Sequence, residues 1–114
     1  MHELGIVFHI IKTVERVSAE NGLEHVSAVV LELGEVSGVV PEQLTDCWRW
    51  AADKTELLKG AELKIETIPA VTHCDGCGRD YPTVEHGRAC PRCGSGETWL
   101  LTGNEVSIKE LEAV

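Results

Sequence analysis

Four of the five cysteines stand in two C-x-x-C pairs, Cys74/Cys77 and Cys90/Cys93, with twelve residues between the pairs. Two thiolates three positions apart grip one ion from a single tight turn, and four of them make a closed set of soft donors. Such a set suits Zn²⁺, a redox-silent ion that takes sulfur in a tetrahedron. Iron held by the same four sulfurs is the chemical rival. Gly76, Gly78 and Gly94 flank the cysteines, and glycine supplies the positive φ that tight turns require. A site filled by four thiolates has no open position for a substrate, so this metal is expected to be structural, not catalytic. A zinc hydrolase is excluded on that ground.

A second group of donors stands at the start, Met1-His2-Glu3. The Met1 α-amine, the His2 backbone amide nitrogen once deprotonated, and His2 Nδ1 close fused chelate rings around one ion. Nitrogen donors in one plane suit square-planar Ni²⁺ or Cu²⁺. An α-amine titrates at roughly 7.7–8.0, so a metal there competes with protons near neutrality. His73 and His86 lie beside or within the cysteine segment and are not needed to complete its shell. They read as solvent-exposed loop residues, the alternative being that they sense pH or replace a thiolate near their titration range.

Charge removes whole classes of partner. Ten Lys+Arg against nineteen Asp+Glu leave the 114-residue chain at −9, and even residues 73–99 carry three basic against four acidic side chains. No segment offers the cationic footprint that a phosphate backbone requires, so nucleic acid is disfavoured. No apolar run approaches the 18 or so residues needed to span a bilayer. The opening residues lack the basic-then-apolar pattern of a secretory leader. A reducing, cytoplasmic setting is therefore expected, and there paired cysteines read as metal ligands rather than disulfides.

The elements that must position these groups follow from periodicity. Leu4, Val7, Ile11 and Val14, widened by Ile10 and Val17, predict an amphipathic helix over 4–20 that ends at Asn21-Gly22. Val26 to Leu33 alternates and is β-branched, which predicts a strand. Pro41 suits the first position of a second helix with Leu44, Cys47, Trp48, Ala51 and Ala52 on its apolar face. Cys47 and Trp48 are expected to be core. Ala61–Ile68 and the segment around Val106 and Ile108 predict two further strands, the last rejoining the first two. Residues 73–98 are rich in Cys and Gly and poor in large apolar side chains, so a metal must hold them together. The expectation is an α+β protein with two helices on a sheet of about three strands. Its first domain spans 1–70 and is completed by 103–114, and a zinc-ribbon-like domain is inserted at 71–102.

Several runs occur together and in order: Met-His-Glu-Leu at the start, Val-Leu-Glu-Leu-Gly-Glu-Val-Ser at 30–37, the paired C-x-x-C segment, and Gly-Asn-Glu-Val at 103–106. In this the chain resembles the HypA/HybF family of hydrogenase maturation nickel metallochaperones, over essentially its whole length. The resemblance implies Ni(II) as transported cargo, with His2 as the side-chain ligand and Glu3 as a neighbour that serves nickel or partner docking. It implies structural Zn(II) on Cys74, Cys77, Cys90 and Cys93. It also implies delivery to the [NiFe]-hydrogenase large subunit in concert with the GTPase HypB, and in some members service to urease maturation proteins. Either a monomer or a homodimer fits, and no membrane or nucleic-acid partner and no enzymatic activity are expected. Some relatives place a histidine just after a C-x-x-C pair, where this chain has Gly78-Arg79 and Gly94-Ser95. Others recruit an acidic residue before the second helix, for which Glu42 is the nearby candidate. The rival reading is a zinc-ribbon protein-interaction module that carries no second metal.

Overall fold

A computed structural model describes residues 3–113. The elements in chain order are α1 (Glu3–Asn21), β1 (Val26–Gly34), α2 (Pro41–Ala52), β2 (Glu62–Ile68), β3 (Val71–Cys74), β4 (Asp80–Pro82), α3 (Thr83–His86), β5 (Thr98–Thr102) and β6 (Val106–Ala113). Two three-stranded sheets result, ordered β2-β1-β6 and β4-β3-β5. The last strand thus joins the first two, as its alternation predicts. No described helix is long and apolar enough to cross a membrane.

The chain divides into two compact units. One holds the residues up to Glu32, Val39–Glu66 and those from Ser107 on. Its core joins Val7, Ile10, Ile11 and Val14 of α1 to Leu44 and Trp48 of α2 and to Val29 and Leu31 of β1. Helix α1 closes where Gly22 takes φ +68°, and the Leu23 N–H reaches back to the Ser18 carbonyl at 2.9 Å. That is a glycine C-cap satisfying an orphan carbonyl. Leu4 departs from expectation: it lies at the edge of the apolar stripe and is 37% exposed, while Ile6 takes a buried place instead.

Pro41 opens α2 with no side-chain cap, and its missing N–H costs nothing there. Trp48 is 1% exposed, and its Nε1–H donates to the Ala61 carbonyl at 2.9 Å, so one side chain fills the core and anchors the approach to β2. Cys47 is only partly buried and packs against the core from its edge, rather than lying fully inside it as its place on the helix predicted.

The strand β1 lies between β2 and β6 and is buried along most of its length. Leu63 and Ile65 of β2 turn towards the helices' core, so Lys64 and Glu66 point the other way. Lys64 Nζ reaches Glu112 of β6 at 2.8 Å, and Lys109 Nζ reaches Glu66 at 3.0 Å. Each ion pair therefore ties the two outer strands together across the middle one.

The second unit holds Leu33–Gly38 and Thr67–Val106. The cysteine segment has no periodicity that predicts regular structure, but three short strands form there. β3 pairs antiparallel with both β4 and β5. The buried cluster is small, Cys74, Tyr81 and Cys90. Two of those three residues are candidate metal ligands, so the unit's core and its metal site are one object. The run after β1 is stitched to both ends of this unit: Gly34 N–H to Glu105 O at 2.7 Å, Glu35 N–H to Ile68 O at 2.9 Å, and Val36 N–H to Gly103 O at 2.7 Å.

Candidate metal centre

The structure brings Cys74, Cys77, Cys90 and Cys93 together, with their sulfur atoms all within 4.8 Å of one another. Cys74 Sγ and Cys93 Sγ are 3.6 Å apart, and Cys77 Sγ and Cys90 Sγ are 3.7 Å apart. Sulfurs about 2.3 Å from the centre of a tetrahedron stand roughly 3.8 Å from each other. The donor set and its spacing therefore fit a zinc ion. Cys74 and Cys90 are buried, while Cys77 and Cys93 face solvent.

Two local folds of the same design build this site. In the first knuckle the Cys74 N–H donates to Arg79 O at 2.9 Å, and the Gly78 N–H returns to Cys74 O at 2.8 Å. In the second, the Cys90 N–H donates to Ser95 O at 3.0 Å, and the Gly94 N–H returns to Cys90 O at 2.9 Å. Gly78 and Gly94 take φ of +75° and +72°, which is the conformation the sequence demanded of them. Gly76 does not. A Cβ there would sit 3.0 Å from the side chain of Ser95, so this glycine is needed for close approach between the knuckles rather than for a positive φ.

The thiols are not equivalent. Backbone N–H groups of Cys93 and Arg92 point at Cys90 and hold its thiol down to about 6. The Ser95 N–H pulls Cys93 the same way, but the sulfur of Cys74, burial and the other two sulfurs outweigh it and push Cys93 up to about 11. Cys77 has help from the Arg79 N–H, yet burial and the sulfurs of Cys90 and Cys74 leave it raised. One thiolate forms readily while Cys77 and Cys93 resist, because like charges in so small a volume repel. A dication at the centre removes that conflict.

The histidines of this unit are more structured than loop residues. His73 lies on β3, with Nδ1 2.6 Å from Asp80, Nε2 3.6 Å from Asp75, and its ring 5.5 Å from that of Trp99. His86 ends α3 and meets the Tyr81 ring edge-on at 5.9 Å. Asp75, Asp80 and Trp99 were not singled out in the sequence, because only the β3–β4 and β3–β5 pairings bring them to His73.

Met1 and His2 lie outside the described residues. Glu3 is the first residue of α1, half-buried, where a carboxylate favours the helix dipole. Glu42 stands in the first turn of α2 and is exposed.

Residues 1–113 match a family model described as hydrogenase/urease nickel incorporation, metallochaperone, HypA. The hydrogenase maturation factor HypA of Geobacter metallireducens is 37% identical over 112 residues, covering 98% of each chain. That of Geobacter sulfurreducens is 38% identical over 112 residues with the same coverage. Among solved structures, the solution structure of the nickel metallochaperone HypA from Helicobacter pylori matches with a TM-score of 0.76 at 23% identity, over 100% of this chain and 98% of that one. At that identity the likeness speaks for the fold.

Proposed function

The chain belongs to the HypA family, and from that premise we propose that it is a nickel metallochaperone for hydrogenase maturation. The observation that carries the reading is the family match across residues 1–113, a span that includes His2 and both cysteine pairs. Ni(II) is cargo, taken at the N-terminus by the Met1 amine, the His2 amide nitrogen and His2 Nδ1. Three nitrogen donors in a plane leave one position of a square-planar ion open for a ligand from the receiving protein. Glu3 stands beside this chelate and serves either nickel or the docking partner.

Cys74, Cys77, Cys90 and Cys93 hold structural zinc in the inserted domain. The ion supplies the charge that lets all four thiols ionise, and its binding energy orders a segment with too little apolar core of its own. The residues around it only support: backbone N–H groups steady the sulfurs, Gly78 and Gly94 permit the turns, and Gly76 lets the two knuckles approach. The domain boundaries that go with this reading are 1–70 with 103–114 for nickel, and 71–102 for zinc. The partners are the GTPase HypB and the [NiFe]-hydrogenase large subunit in the cytoplasm, and the family description extends the service to urease. The chain moves a metal and transforms no substrate.

The test is one of nickel supply. Removing the chain from its host should lower nickel-dependent hydrogenase activity, and excess nickel in the medium should restore it. A His2→Ala copy should fail to complement at low nickel. Full activity in the absence of the chain at limiting nickel would refute the assignment.

A further inference from the structure

The unit that carries the cysteines also has a half-open cavity of about 420 Å³ to which none of the four sulfurs contributes. Thr72, Thr83, Arg88, Thr98, Trp99 and Leu100 line it. Thr72 is only 4% exposed, and its Oγ1 lies 2.5 Å from Thr83 Oγ1. Two hydroxyls carry two hydrogens, and one bond between them uses one. Among the described residues neither oxygen has a further acceptor, so one O–H remains to donate to whatever enters.

Arg88 supplies the charge. Its backbone carbonyl accepts the Thr98 hydroxyl at 2.6 Å, which holds that stretch of chain against β5. Its guanidinium has no carboxylate partner among the described residues. Of the carboxylates near it along the chain and sheet, Asp75 holds the Trp99 indole, Asp80 holds His73 and Glu85 stands beside His86, while Glu97 is not among the residues that line the cavity. Trp99 is half exposed, yet its ring is set, 5.5 Å from His73 with Nε1–H donating to Asp75 at 3.2 Å. An exposed aromatic ring held in place offers apolar contact with little further ordering cost.

Among the residues that line this cavity, the side-chain groups left without a partner are donors, and one of them, the Arg88 guanidinium, is a cation. We propose that it receives a side-chain carboxylate from a peptide segment of a partner protein, with an adjoining apolar side chain packed on Trp99 and Leu100. A guanidinium with a hydroxyl beside it is suited to a carboxylate, and in a chain of net charge −9 an acidic partner needs such a local cation to dock at all. The inference stands apart from the nickel reading.

Inorganic phosphate shares this chemistry, and the experiment separates the two. The zinc-loaded full-length chain, isotope-labelled, is titrated with a blocked Leu-Glu-Leu peptide, with its Leu-Gln-Leu counterpart, and with inorganic phosphate, following amide and indole signals. The acidic peptide should shift Thr72, Thr83 and the Trp99 indole N–H saturably, and the Gln peptide should bind about tenfold more weakly. Arg88→Gln and Thr83→Val should each reduce binding while signals away from the cavity stay in place. No saturable shift, equal binding of the two peptides, or undiminished binding by Arg88→Gln overturns the proposal. Tighter binding of phosphate than of the acidic peptide overturns the peptide assignment.

Discussion

A thiol held down to about 6 beside one pushed up to about 11 is the charge pattern of four sulfurs converging without a counter-ion. Cys90 is one of the two buried thiols of that set, with Cys74. Cys90→Ala should lose tightly bound zinc and disorder residues 71–100, since a structural zinc contributes on the order of 10 kcal/mol to ordering such a segment. Helical content should persist, because α1 and α2 draw on a core that includes no residue of the cysteine cluster. Metal analysis alongside circular dichroism checks both halves, and a full complement of zinc in the variant would contradict the account. At this scale the spacing of the cysteines was enough to find the ligand set. The role of Gly76 was not legible, because its constraint comes from Ser95, nineteen residues away in the other knuckle.

Among the elements, periodicity located both long helices and the three strands of the first sheet, since each has one face that must be buried. It did not find β3, β4 and β5, whose runs of three to five residues are too short to show alternation and are recognised only by their pairing. Past the strand that ends at Leu33, the 30–37 run was legible only as part of a family pattern, and the constraint on Gly34 is steric. A Cβ on Gly34 would lie inside the Gly103 carbonyl, and one on Gly103, already at φ +116°, would fall 2.5 Å from Ala70 Cα. Gly34→Ala should therefore destabilise the protein by about 2–3 kcal/mol through overpacking, read as a lowered denaturant midpoint; an unchanged midpoint would refute the close packing. The ion pairs across β1 give a pH signature. Hydrogen bonding and charge from Glu112 raise Lys64 above the ordinary 10.5, and Glu66 does the same for Lys109. Groups raised in the folded state contribute stability that is full below the unfolded value and is lost as pH climbs through the folded one. Denaturation midpoints should thus hold steady up to about pH 10 and fall above it, and a Lys64→Met, Lys109→Met variant should lack that extra fall.

On the scale of the whole molecule, the proposed function gives a small acidic α+β chain two kinds of metal donor with opposite designs. Four sulfurs would close around one ion and keep it, whereas three nitrogens at a terminus would leave one side open and let the ion go. The first design is visible in the geometry, and the second rests on Met1-His2 and on family membership. Composition told much at this level, because a net charge of −9 spread over every segment leaves no nucleic-acid footprint. The cavity at Arg88 stayed hidden, because its lining is gathered from Thr72 to Leu100 and only the second sheet assembles it. The central claim, a chelate that uses the terminal amine as well as the His2 ring, is tested most directly by calorimetric Ni²⁺ titration of the zinc-loaded protein. The titration compares the parent with His2→Ala and with a form extended by one residue before Met1. The account predicts one Ni²⁺ per parent chain at roughly micromolar affinity, about −8 kcal/mol, weakening below neutral pH as the amine and imidazole take up protons, and loss of that site in both altered forms. One Ni²⁺ bound as tightly by the extended form as by the parent would contradict it.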